Sequence, residues 1–240
     1  MGVQDLSDAG RPDASNTRRK RFDVPCEVGE EAMTSPLTIP GLPFTLSPSS
    51  EEAWSIGHSP VSVSAVAAPR SDIFIDPGTS SELNAASMLN AETLLGPPPA
   101  GDFQFSARVT VDFASTYDAG VLLLWLNKRN WAKLCFEFSP RAEPTIVSVV
   151  NRGVSDDANA FGVSGTSTWL RVARLETTFA YHASLDGVTW QLVRCFALDS
   201  APTPLTVGFE AQSPTGDGCR VVFDQISFVS QRLANLRDGS

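Results

Sequence analysis

Between Phe179 and Trp190 the chain reads FAYHASLDGVTW, and this stretch constrains the fold more than any other. Alternating side chains run up to Asp186-Gly187, a dipeptide suited to a hairpin turn, and a second apolar run begins at Trp190. A period of two belongs to a strand with one face on a core. Phe179 and Tyr181 therefore point inward, and His182 and Ser184 point the other way.

The pattern repeats along the chain. Val61 to Val66 alternates, Ile73-Phe74-Ile75 lies between Asp72 and Asp76-Pro77-Gly78, and Phe103 to Phe113 alternates cleanly. Ala119 to Leu126 and Trp131 to Phe138 form a hairpin around Asn127 to Asn130. Thr145 to Val150, Trp169 to Leu175, Phe179 to Ser184, Trp190 to Leu198, Thr206 to Ser213 and Arg220 to Val229 complete the set. Leu83 to Leu95 has helix-compatible composition without helical periodicity, and reads as irregular or a short helix stopped by Gly96-Pro97-Pro98-Pro99. About ten short strands with no long helix predict an all-β fold, an antiparallel sandwich forming a single domain.

Three parts are expected: a leader over residues 1–35, a sandwich over 36–231 and a C-terminal tail over 232–240. The leader is polar and aperiodic, a composition that cannot offset its ordering entropy. A cleaner sequence starts at Met33, MTSPLTIPGLPFTLSP, so Met33 is read as the natural start. The net charge of −9 disfavours nucleic acid and anionic membranes, which need an electropositive partner. The basic run Arg18 to Arg21 sits among acidic residues and reads as solvated. No apolar run reaches membrane-spanning length and no secretory segment opens the chain, so a cytoplasmic location is expected. Cys26, Cys135, Cys195 and Cys219 are scattered, as suits free thiols in a reducing compartment.

Several blocks in order carry a family likeness: YDAGVLLLWLNKRNWAKLCFEFS (Tyr117 to Ser139), VVNRGVSDDANAF (Val149 to Phe161), WLRVAR (Trp169 to Arg174), FAYHASLDGVTW and GFEAQSPTGDGCRVVFDQI (Gly208 to Ile226). Over roughly residues 40–230 the chain resembles the regulation-of-enolase-protein-like group, a domain of unknown function. The resemblance implies a two-sheet jelly-roll of the concanavalin A-like lectin/glucanase type. It implies no settled reaction. The acids that glucanases of this fold alternate along one strand are missing, because Lys133 to Glu137 offers one lysine and one acid.

Alternation also assigns faces. Leu134, Phe136 and Phe138 take the core, leaving Lys133, Cys135 and Glu137 outward; Trp169, Arg171, His182, Glu210 and Gln212 are outward on their own strands. If those strands share the concave sheet, its floor carries Lys133, Glu137, Arg171, His182, Glu210 and Gln212, rimmed by Trp131 and Trp169. Tryptophans could stack on the apolar face of a sugar while the polar side chains fix its hydroxyls. The favoured function is a binding module for a carbohydrate or small polyol. One alternative is a glycoside hydrolase-like enzyme centred on Glu137, with His182 as a further catalytic group and Glu210 as the obvious second acid. Another is a scaffold with a protein partner that regulates a metabolic enzyme. The plain alternative is a solvated sheet whose cross-strand charge pairs contribute a few tenths of a kcal/mol each. No cofactor motif is present. The loop Ser155 to Asn159 offers Asp156, Asp157 and Asn159 as a candidate calcium site, although the same residues make an ordinary turn.

Overall fold

The computed structural model describes residues 35–78, 87–198 and 204–240. The expected leader, except for Ser35, lies outside the described residues, as do residues 83–86 of the segment read as irregular or helical.

Sixteen strands are present among the described residues, and no helix. The first seven-stranded sheet contains, in spatial order, β1 (Ser47–Pro48), β6 (Glu92–Gly96), β15 (Thr206–Gln212), β8 (Ala119–Asn127), β9 (Asn130–Phe138), β10 (Pro144–Arg152) and β11 (Ser155–Gly162). The second contains β14 (Gln191–Ala197), β13 (Thr178–Ser184), β12 (Ser167–Leu175), β7 (Phe103–Val111), β16 (Arg220–Val229), β3 (Val61–Val66) and β2 (Trp54–His58). A two-stranded ribbon pairs β4 (Ile73–Phe74) with β5 (Met88–Leu89). All pairings are antiparallel, and the molecule is a two-sheet jelly-roll sandwich, as its alternation predicts.

The inner faces pack as the alternation requires. Along β7 the residues Phe103, Phe105, Ala107, Val109 and Val111 are buried, and each intervening residue is half-exposed. Phe209 from the first sheet meets Phe223 from the second at 4.5 Å between ring centroids, and Phe105 at 5.3 Å. Truncating one such buried ring typically costs about 3–5 kcal/mol. Gly120 faces this layer because nothing larger fits: a Cβ there would lie 2.5 Å from Val109 Cγ1 and 2.6 Å from Val221 Cγ1.

Several sequence expectations need correction. Ser155 to Gly162 is an edge strand, not a turn, paired with β10 through a bulge at Ile146/Val147. Its polar residues concealed it, since an edge strand needs no apolar face of its own. Glu92–Gly96 is likewise a strand, paired on both sides, where an irregular or helical segment was expected. The β13–β14 hairpin exists, but residues 185–190 form a longer connection than a two-residue turn. Ser184 Oγ and the Asp186 carboxylate hold it by accepting the Gly187, Val188 and Thr189 amides.

The outer face of the first sheet is not a solvated surface. Val121, Leu123, Trp131, Cys135, Val147 and Val149 point away from the main core, yet all are buried, in a second cluster with Ile73 and Ala91. The covering residues described are Ile73 and Ala91, with Phe74 and Ile75 packed against the same cluster. Ser71 exchanges backbone hydrogen bonds with Ser213 at the end of β15, and Ile75 O accepts the Ser155 amide at the start of β11. Residues 71–75 are therefore a strap tied to both ends of a five-strand span. Outward pointing and exposure are separate properties here, which alternation alone cannot distinguish.

Candidate functional site

Register places the outer-face side chains of the first sheet in rows. Ala119, Glu137, Thr145 and Gln212 share one row; Val121, Cys135, Val147 and Glu210 the next; Leu123, Lys133, Val149 and Asp157 the third; Trp125, Trp131 and Asn151 the fourth. Five of the eight expected ligand residues are thus on one face: Trp131, Lys133, Glu137, Glu210 and Gln212.

Lys133 is the centre. Its side chain is only 2% exposed, and Nζ donates to Asp72 Oδ1 at 2.7 Å and to Gln212 Oε1 at 2.7 Å. Glu210 Oε1 lies 3.9 Å away. Burial alone would make the ammonium a weaker base, but the carboxylates of Asp72 and Glu210 raise its pKa overall. Gln212 completes the arrangement by donating Nε2 to Tyr117 O at 3.0 Å. Burial pushes the carboxyl of Glu210 up to about 8 despite Lys133, and does the same to Glu137. Burial likewise raises Asp157, at the open edge of β11, with Lys133 and Arg194 opposing.

Several polar atoms on this face have no hydrogen-bond partner among the described residues. They are both carboxyl oxygens of Glu210, Nδ2 and Oδ1 of Asn151, and Nε1 of Trp131. All three side chains are fully buried. Buried polar atoms without partners each cost about 1–3 kcal/mol, and these have no exposed surface of their own.

The other three expected ligand residues lie elsewhere. Trp169 and Arg171 are on β12 and His182 on β13, in the second sheet, with the hydrophobic core between them and Glu137. The shared floor is therefore corrected: alternation chose the face of each strand but not the sheet. The C-terminal segment occupies this second face. His182 Nε2 donates to Leu236 O at 2.8 Å, and Arg171 Nη2 donates to Gly239 O at 2.5 Å with its guanidinium 4.2 Å from the Trp190 ring. Burial lowers the His182 pKa, with the Leu236 bond opposing and Arg171 adding to the fall. Trp169 donates Nε1 to Gln225 Oε1 at 3.1 Å. The His182 and Arg171 contacts hold the tail. They do not place His182 beside Glu137 as a catalytic partner.

Two further expectations meet obstacles. Trp131 is fully buried, so its ring is no exposed rim; the half-buried Trp125, directly opposite it, lies nearer solvent. Asp156 and Asp157 are consecutive on an extended strand and so point to opposite faces, and Asp156 pairs with Arg194 at 3.1 Å. The Asp156, Asp157 and Asn159 set does not converge as calcium ligands, and no acid, histidine or cysteine cluster of metal-binding geometry occurs among the described residues.

Sequence reasoning missed Asp72, Asn151 and Trp125. Asp72 reaches Lys133 over 61 positions of sequence, and Trp125 sits in an unbroken apolar run. Only the register could have located them.

The family described as protein of unknown function (DUF1349) matches residues 50–231. No curated protein matches the sequence. Among solved structures, a functionally unknown protein from Saccharomyces cerevisiae has 22% identity and a TM-score of 0.65, covering 76% of this chain and 94% of that one. The GH43 protein BlXynB from Bacillus licheniformis has 13% identity and a TM-score of 0.61 over 78% of this chain. A xylan beta-1,4-xylosidase from Bacillus halodurans has 13% identity and a TM-score of 0.58 over 75% of this chain. This chain spans only 37% and 34% of those two proteins, and the likeness is one of fold. No described helix is long and apolar enough to cross a membrane.

Proposed function

The chain belongs to the DUF1349 family of proteins of unknown function, and from that premise we propose that it is a binding module for a carbohydrate or small polyol. The ligand sits at the accessible margin of the outer face of the first sheet, contacting the half-buried Glu137 and Trp125 and the exposed Asp157. One observation carries this reading: Trp125, Glu137 and Asp157, each with accessible surface, share one face of the first sheet with the hydrogen-bonded Asp72–Lys133–Gln212 network. Hydroxyl-rich molecules supply donor and acceptor at each oxygen and so complete such a set. The xylosidase of like fold adds support of fold analogy alone. The narrower likeness, to the regulation-of-enolase-protein-like group and the concanavalin A-like lectin/glucanase class, belongs to the same proposal. So does a cytoplasmic location, in keeping with the free thiols of Cys135, Cys195 and Cys219.

Hydrolysis is disfavoured by the same geometry. Glu137 and Glu210 are two strands and one row apart, so their Cα atoms are separated by about 12 Å at ordinary strand spacing. Burial drives both carboxyls up to about 8, whereas acid–base cleavage needs one protonated and one ionised.

Thermal shift with neutral sugars and polyols tests the proposal. A ligand at about 100 times its Kd adds about 2.7 kcal/mol, a rise of roughly 5–10 °C for a chain of this size. The shift should shrink in Glu137→Gln and persist in Arg171→Ala. A shift lost only in Arg171→Ala would move the site to the other sheet, and no shift with any neutral sugar or polyol would end the carbohydrate reading.

A further inference from the structure

Two arginines on the outer face of the second sheet share one chemistry, and only one of them is complete. Arg108 on β7 places Nε and Nη2 on the two oxygens of Asp224 at 2.7 and 2.5 Å. That planar fork is the one that matches a carboxylate. Arg171 lies on the neighbouring strand β12, one row further along. Its fork is half used: Nη2 donates to Gly239 O at 2.5 Å, while the buried Nε has no partner among the described residues. A carbonyl offers one oxygen where a carboxylate offers two. No acid pairs with Arg171 among the described residues, although it is only 6% exposed, and burial alone lowers its pKa, to about 10.

What fills the space beside this fork is bare backbone. Gly239, at a φ of +77°, sits in a slot walled by Arg171, Trp190 and His182. A Cβ there would lie 2.6 Å from Arg171 Nη2, 2.7 Å from Trp190 Cβ and 3.3 Å from His182 Cδ2. The slot thus admits a flat, unbranched group. Its cover is thinly held. Of residues 233–240, only Leu236 O and Gly239 O bond to the sheet among the described residues. Asn235, Arg237, Asp238 and Ser240 are exposed and bond within the turn, Asn235 to Gly239, Asp238 and Ser240 among others. A self-contained turn with so few buried contacts opens locally at small cost.

We propose that Arg171 anchors a second binding site, for a small organic carboxylate, and that residues 233–240 are its built-in competitor. A backbone oxygen of the tail holds one prong of the fork until a carboxylate takes both. The site lies across the hydrophobic core from the face assigned to the neutral ligand, and neither reading depends on the other.

Malonate titrated calorimetrically into the full chain, at constant ionic strength set by chloride, tests this alongside deuterium exchange of the tail amides. Gly239→Val cannot seat the tail in the slot and should speed exchange at residues 235–240. It should bind malonate at least about tenfold more tightly than the wild type, whose apparent affinity is reduced by its closed fraction. Malonate should in turn speed tail exchange in the wild type, because the coupling is reciprocal. Adding Arg171→Lys to Gly239→Val keeps the charge but loses the fork, and should weaken malonate binding at least about tenfold. Equal malonate affinity in wild type and Gly239→Val, or unchanged tail exchange in that variant, would overturn the competitor role. A released tail with no malonate binding, or equal binding with lysine at 171, would overturn the site itself.

Discussion

Glu210→Gln tests the physical basis of the site most directly. The Glu210 carboxyl is fully buried, its oxygens lack hydrogen-bond partners among the described residues, and burial pushes its pKa from 4.5 to about 8. Below pH 4.5 the group is protonated in folded and unfolded chains alike and its contribution to stability is fully present. Between pH 4.5 and about 8 the unfolded chain releases the proton and the folded chain keeps it, so stability falls steadily as pH rises. Each tenfold change in proton affinity is worth about 1.4 kcal/mol, so the span from 4.5 to about 8 amounts to a loss of about 5 kcal/mol. Glutamine keeps the shape and removes the titration. Urea unfolding followed by tryptophan fluorescence at pH 5, 7 and 9 should show the two proteins diverging, with the variant several kcal/mol ahead at pH 9. The denaturant slope should be unchanged, so that midpoints report stability. Glu137 titrates over the same range in both proteins and largely cancels from the difference. Parallel stability curves would refute the reasoning, because they would mean that the Glu210 carboxyl is solvated as well in the fold as outside it.

Two further outcomes are expected. His182 donates to Leu236 through Nε2 while its buried Nδ1 has no partner among the described residues, so a second proton has no acceptor and faces Arg171. Its folded pKa is lowered below 6.5, so the stability it contributes is present above pH 6.5 and is lost as pH falls through the lowered value. Amides of residues 233–240 should therefore exchange faster relative to the core at pH 5 than at pH 7, and His182→Ala should abolish that difference; equal protection at both pH values counts against the contact. Gly120→Ala forces a methyl against Val109 and Val221 and should cost about 1–3 kcal/mol in urea unfolding, with a neutral result showing that the two sheets are not in such close contact there.

The sandwich was legible because its long central strands are amphipathic. Phe103–Val111, Phe179 to Ser184 and Asn130–Phe138 each declare a core face by alternation, and each does face the core as read. What alternation lacks is any signal for which strands are neighbours. Glu137 and His182 both point outward, and nothing within either strand says that they leave the molecule on opposite sides. The covering strap was hidden for a related reason. Its grip on the sheet comes from Ser71, Asp72 and Ile75, through partners 61 or more positions away, whereas local pattern reports only on near neighbours. Edge strand β11 was unreadable because alternation is imposed by burial, and an edge bordered by solvent imposes little.

The position of β16 has a consequence for how the protein comes into being. This strand, the last of its sheet in sequence, lies between β7 and β3 and, among the described residues, is the only bridge from the β2–β3 pair to the rest of its sheet. While the ribosome is still making the middle of the chain, the early hairpin has nowhere to dock, and the valines and phenylalanine that it will cover remain bare. Closure must wait for residues more than 150 positions downstream, the kind of long-range pairing that makes all-β domains fold slowly and leaves them vulnerable to aggregation in the interval.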